Sequence, residues 1–177
     1  IEEYISNKEA NMIKAIVYKS NAGHTKRYAQ MLSDKLEIPS YSVKEAKRKL
    51  KKDDGIIYLG WLFAGKIKGL KKALKRYKIN CCGAVGAYPS TKEYVKNLRK
   101  ANKITLPLFY MQGGIDYTKI NFVYKKVLTT VGEQIAREGN ENKKDLVEMF
   151  VNGKDYVEEK NINEMLEYIQ KNLKIEI

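Results

Sequence analysis

Apolar runs alternate with helically spaced apolar positions along most of this chain. Residues 12–18 (MIKAIVY) form a short β-branched run. Residues 23–37 follow, with Tyr28, Ala29, Leu32 and Leu36 at helical spacing. Residues 39–43 predict a short strand, and 44–52 a basic helix or connector. Residues 54–60 (DGIIYLG) predict a buried strand. A helix over 67–77 follows, with Ile67, Leu70, Leu74 and Tyr77 on one stripe. Residues 81–88 (CCGAVGAY) are strand-like, and Ser90 offers an N-cap to a helix over 92–101. Residues 104–111 (ITLPLFYM) predict a fifth strand, with Pro107 arguing for an edge position or a bulge. A last helix over 162–172 turns Ile162, Met165, Leu166 and Ile169 inward.

That order predicts an α/β fold, a doubly wound five-stranded parallel sheet with helices on both faces. Residues 113–160 exceed the minimal plan, because connections in such units usually take ~2–6 residues. They carry their own amphipathic pattern (Ile120, Val123, Tyr124, Val127, Leu128, Val131, Ile135) and then a polar loop over 138–145. This is a helical insertion after strand five, either an extra packing element or a lid or docking surface. Residues 1–11 are polar and acidic and read as an N-terminal extension to a single domain over 12–177. They hold no apolar signal core.

Length and composition agree with a globular domain: 177 residues, 44% hydrophobic and 31% charged. A chain of this size buries roughly 70% of its unfolded surface and needs no disulfide staple. Cys81 and Cys82 are adjacent, so alternation in a strand sends them to opposite faces as core residues. A reducing cytoplasm fits. The net charge is +13 and uneven: residues 44–78 hold 13 basic and 3 acidic residues. Such a patch attracts polyanions, anionic lipid or an acidic partner. Nucleic acid is disfavoured, because no aromatic-rich RNA-binding signature or zinc-finger spacing accompanies it.

In a doubly wound sheet, ligands bind beyond the carboxyl ends of the strands. After the first strand stand Ser20, Asn21, Ala22, Gly23, His24 and Thr25, leading straight into a helix. Backbone N–H groups and hydroxyls there suit a terminal phosphate without a metal. An ordinary strand-to-helix turn has the same composition. The P-loop and dinucleotide fingerprints are absent, and so is a cysteine nucleophile. After the third strand come Gly60, Trp61, Leu62, Phe63, Ala64 and Gly65, read as a loop whose aromatics either stack on a flat ring or pack into the domain edge. Gly86, Ala87 and Tyr88 follow the fourth strand, and Gly113 to Tyr117 the fifth. His24, the one histidine, reads as a phosphate neighbour or a solvated side chain.

The turn over 20–25 resembles the phosphate loop of the flavodoxin family, which binds FMN, and residues 60–66 resemble its ring-stacking loop. The resemblance covers 12–112 and the last helix. It implies a flavodoxin-like fold, with FMN phosphate on Asn21–Thr25 amides and the Ser20 and Thr25 hydroxyls. Phe63 or Trp61 would lie on one ring face and Tyr88 near the other, with peptides at Gly60, Gly65 and Gly86 at the ring edge. Gly60-Trp61 departs from the family's more usual Ser-Pro pair. Residues 113–119, the helix after them, and Asp155-Tyr156-Val157 resemble the insertion of menaquinone-dependent protoporphyrinogen dehydrogenases. That implies an FMN-dependent oxidoreductase with a quinone acceptor, peripheral to an anionic, cytoplasmic membrane face. The alternative is a flavodoxin-type electron carrier docking on a redox partner protein. A homo-oligomer stays open in either case.

Overall fold

The computed structural model describes residues 12–176; the extension expected at 1–11 lies outside them. β1 (Met12–Lys19), β2 (Ser40–Ser42), β3 (Gly55–Phe63), β5 (Lys78–Gly86) and β6 (Leu108–Gln112) pair in parallel, in the order β2-β1-β3-β5-β6. This is the expected doubly wound sheet. Two short strands join it, β4 (Lys66–Ile67) on β3 and β9 (Lys174–Ile175) on β1. β6 is the sheet's edge, and the strand starts only after Pro107, whose carbonyl accepts the Cys82 N–H at 2.9 Å. A proline there costs no ladder bond.

Alternation along the strands builds two cores. Ile57, Leu59 and Cys81 face α1 (His24–Leu36) and α7 (Asn163–Asn172), with Tyr28, Leu32, Met165 and Ile169 fully buried. Ile56, Tyr58 and Cys82 face α2 (Val43–Lys49), α3 (Leu70–Leu74) and α4 (Lys92–Asn102). The adjacent cysteines therefore sit in opposite cores as expected. Burial pushes the Cys81 thiol up to about 12 and raises Cys82 further. Neither is a thiolate at neutral pH, so neither is a nucleophile.

Several expected boundaries move. The stripe from Ile67 to Tyr77 is only partly helical: Ile67 lies in β4, and Gly69 at φ 84° starts a five-residue α3. Thr91, not Ser90, caps α4, its Oγ1 accepting the Tyr94 N–H at 3.1 Å. The polar stretch 138–145 is not all loop. It holds a 3-10 turn (Glu141–Lys143) and the start of α6 (Lys144–Asn152). Met149 and Phe150 of α6 are buried against α5 (Phe122–Arg137), where Gly132 lets Phe150 approach closely.

The insertion is closed at its base. β7 (Gly114–Ile115) and β8 (Lys154–Asp155) pair antiparallel, and the Tyr156 N–H donates to the Gly113 carbonyl at 2.9 Å. Gly114, at φ 110°, has no room for a Cβ, which would lie 1.9 Å from the Lys154 carbonyl oxygen. Beneath this clasp the Tyr28 hydroxyl donates to the Gln112 carbonyl, while Asn161 Nδ2 donates to Tyr28 Oη at 2.7 Å and to the Tyr156 carbonyl at 2.9 Å. The network ties α1 to both ends of the insertion.

Candidate functional site

β2 lies on one side of β1 and β3 on the other, so the chain order reverses at β1 and leaves a crevice beyond the ends of β1 and β3. The turn after β1 occupies it. Gly23, at φ 99°, opens α1, and its N–H donates to Ser20 Oγ at 3.1 Å. That bond uses a lone pair of Ser20 and leaves its O–H free to donate. The first N–H groups of α1 have no intrahelical acceptor. Among the described residues no acceptor meets the N–H of Asn21 or Ala22 either. Thr25 is 1% exposed, yet its hydroxyl has no partner among the described residues and borders the cavity. This turn offers a bundle of donors with nothing to receive them, as an anion site requires.

The second wall is a hairpin rather than the expected loop. Gly60, Trp61, Leu62 and Phe63 are strand residues of β3. Leu62 pairs with Ile67 and Phe63 with Lys66, leaving Ala64 and Gly65 as a two-residue turn at φ 48° and 71°. Both positive angles match the right-handed twist of the strands. Asn102 of α4 clamps the turn, donating to the Gly65 carbonyl at 2.8 Å and accepting the Ile67 N–H at 2.9 Å. Trp61 and Phe63 are two apart in a strand and share a face. Their ring centroids lie 6.0 Å apart.

A cavity lies between turn and hairpin. Ser20, Asn21, Ala22, His24, Thr25, Trp61, Leu62, Phe63, Gly86 and Ala87 line it. Gly23, Gly60, Ala64, Gly65 and Tyr88 do not. Gly23 shapes the turn from outside the cavity. A Cβ on Gly60 would lie 2.6 Å from Ile67, so that glycine lets the hairpin fold over β3. Ala64 and Gly65 make the turn. Tyr88 packs elsewhere, its ring centroid 5.4 Å from that of Phe150 and 5.8 Å from that of Tyr94, tilted to both.

A different aromatic takes its place. Tyr124 of α5 lies 5.9 Å from Trp61 and 4.9 Å from Phe63, edge-on to both, and lines the cavity with Ile120 and Leu128. The amphipathic spacing of the insertion contained this residue. It did not reveal that the helix folds back over the crevice. The cavity is therefore polar at the turn and aromatic at hairpin and insertion, which suits a flat apolar ring carrying a phosphate.

His24 sits at the junction, its side chain 11% exposed, so it is not a solvated residue. Nε2 lies 3.9 Å from Asp155 Oδ1, and Arg27 pairs with the same carboxylate. Burial lowers the His24 pKa from 6.5, with Asp155 pulling the other way. Burial also works against the Asp155 carboxylate, but the Val157 N–H and Arg27 outweigh it and keep its pKa low. The unfolded chain binds the His24 proton first, so stability falls as pH drops below 6.5 toward the lowered folded value. His24→Gln is expected to flatten that loss below pH 6.5, read from urea midpoints. Equal slopes would contradict the placement.

No curated protein matches the chain. A family model described as a flavodoxin domain matches residues 15–144, most of the chain, including the turn, the hairpin and α5. With the sheet order and a donor-rich turn at its reversal point, that match places the chain in the flavodoxin family, whose members typically bind flavin.

Proposed function

We propose that this protein is an FMN-dependent oxidoreductase that acts on a bulky, reduced substrate and uses a quinone acceptor. One observation carries the reading: the unsatisfied donors of the 20–25 turn and the aromatic pair of the hairpin face one cavity, and the insertion roofs it. When bound, FMN supplies the redox chemistry, accepting electrons in pairs and releasing them singly or together. The chain's part is binding and shielding. The Asn21–Thr25 amides, with the Ser20 and Thr25 hydroxyls, would hold the phosphate. Trp61, Phe63 and Tyr124 would hold the ring and exclude water. No described side chain stands out as an obligatory acid or base.

The finer resemblance, to menaquinone-dependent protoporphyrinogen dehydrogenases, supports a porphyrinogen as donor. The exposed residues Phe122, Val123 and Val127 at the start of α5, beside Lys125 and Lys126, support a peripheral site on an anionic, cytoplasmic membrane face. No helix among the described residues is long and apolar enough to cross a membrane. A carrier without its own substrate is the second reading; carriers of this family usually dock through acidic faces, and this chain is basic. Quinone reduction by protoporphyrinogen, assayed with the FMN-loaded protein, separates the two. Turnover that rises when anionic vesicles are added is expected. Flavin binding with no turnover, with or without anionic vesicles, would leave the carrier.

A further inference from the structure

A second feature of the surface is unused by this reading. Lys19, Lys66, Lys68, Lys71 and Lys72 line one groove beside the hairpin. They come from the end of β1, from β4 and the turn after it, and from α3. Among the described residues none of the five pairs with an acidic side chain. Lys66 alone donates to protein, to the Ala101 carbonyl. Residues 66–78 contain seven Lys/Arg and no acid. Five ammonium groups held together without counter-charge repel one another, and an anionic partner relieves that. Leu74, 46% exposed, does not line the groove but lies one helical turn from Leu70 and Lys71, which do. An exposed apolar side chain beside a cluster of charges is a combination that protein interfaces use.

The groove also adjoins the cavity. Lys68 Nζ lies 5.9 Å from the Trp61 ring centroid and 5.5 Å from that of Phe63, and both rings line the cavity wall. All five cations are lysines. Arginine is the residue whose planar fork reads phosphate in pairs, and the groove has none. The exposed apolar side chains suited to lipid lie on α5 instead.

We propose that this groove docks an acidic electron-carrier protein, with Leu74 as its apolar anchor and the lysines as its steering field. The partner's redox character rests on the second reading above, a carrier that exchanges electrons with another protein. The docking itself does not, and it is measured on flavin-free protein. The sole tryptophan, Trp61, reports it, since a docked iron–sulfur centre quenches its fluorescence. The probe is an oxidised [2Fe–2S] ferredoxin with an acidic surface. The groove variant Lys68→Glu/Lys71→Glu/Lys72→Glu is compared with Lys160→Glu/Lys171→Glu/Lys174→Glu, which carries the same net charge with its changes elsewhere. The groove variant should lose at least about tenfold in affinity, the control variant less than about threefold, and Leu74→Ala about three- to tenfold. Added salt should weaken wild-type binding steeply. Equal loss in both triple variants, or no wild-type binding below about 1 mM at low salt, overturns the proposal. Phosphatidylglycerol vesicles that bind through the groove lysines while ferredoxin does not would assign the groove to lipid and overturn it too.

Discussion

Ala22→Glu will lower FMN affinity by at least about a hundredfold while leaving riboflavin affinity within about threefold. Ala22 borders the cavity within the donor-rich turn, and its N–H has no acceptor among the described residues. A carboxylate there faces the position assigned to a dianion. At an effective dielectric of about 20, unit charges roughly 5 Å apart repel by about 3 kcal/mol. Riboflavin has no phosphate and escapes that repulsion. The side chain is half-buried in a loop, so the melting temperature should move little. Parallel titrations with the two flavins check this. Equal losses for both would mean that the larger side chain blocks the cavity rather than repelling charge, and an unchanged FMN affinity would place the phosphate elsewhere.

Removal of the insertion should separate binding from turnover. Ile115 and Lys154 are the innermost pair of the β7–β8 clasp, so residues 116–153 can be replaced by Asn-Gly, which closes a two-residue hairpin. The sheet and its two cores lie outside the deleted segment. Flavin affinity should fall by at most about tenfold, the worth of the Tyr124 ring at ~0.5–1.5 kcal/mol. Protoporphyrinogen-dependent quinone reduction should fall by at least about a hundredfold, because the roof over the cavity and the exposed apolar residues at the start of α5 go together. Circular dichroism and a quinone assay on the deleted protein decide it. Unchanged turnover would make the insertion a packing element only.

The sheet was legible because its strands are short apolar runs separated by helically spaced segments, a pattern that only βαβ units satisfy. The donor turn was legible because small hydroxyl, amide and glycine residues sit between a strand and a helix. The hairpin was not. Its turn is Ala64-Gly65, without the Asn-Gly or Asp-Gly pair that marks a tight reversal, and Ala64 takes a left-handed conformation imposed by tertiary context. Helical spacing then carried Ile67 into α3, although it pairs with Leu62. Tyr88 and Tyr124 show a different limit. Tyr88 follows the end of β5, whereas Tyr124 sits in the first turn of α5, and periodicity states which face of α5 is apolar, not which neighbour it covers. The distance along the chain from Trp61 to Tyr124 is bridged only once β7 and β8 fix where the insertion leaves and returns. α6 was hidden because its charged first turn continues the polar stretch before it.

Stoichiometric titration of the flavin-free protein with FMN, following flavin and Trp61 emission together, tests the central claim most directly. Trp61 is the sole tryptophan and lines the cavity, so one event should quench both signals at one FMN per chain. A protein that takes up no FMN, or one that binds it with Trp61 emission unchanged, would contradict a flavin held between the 20–25 turn and the hairpin.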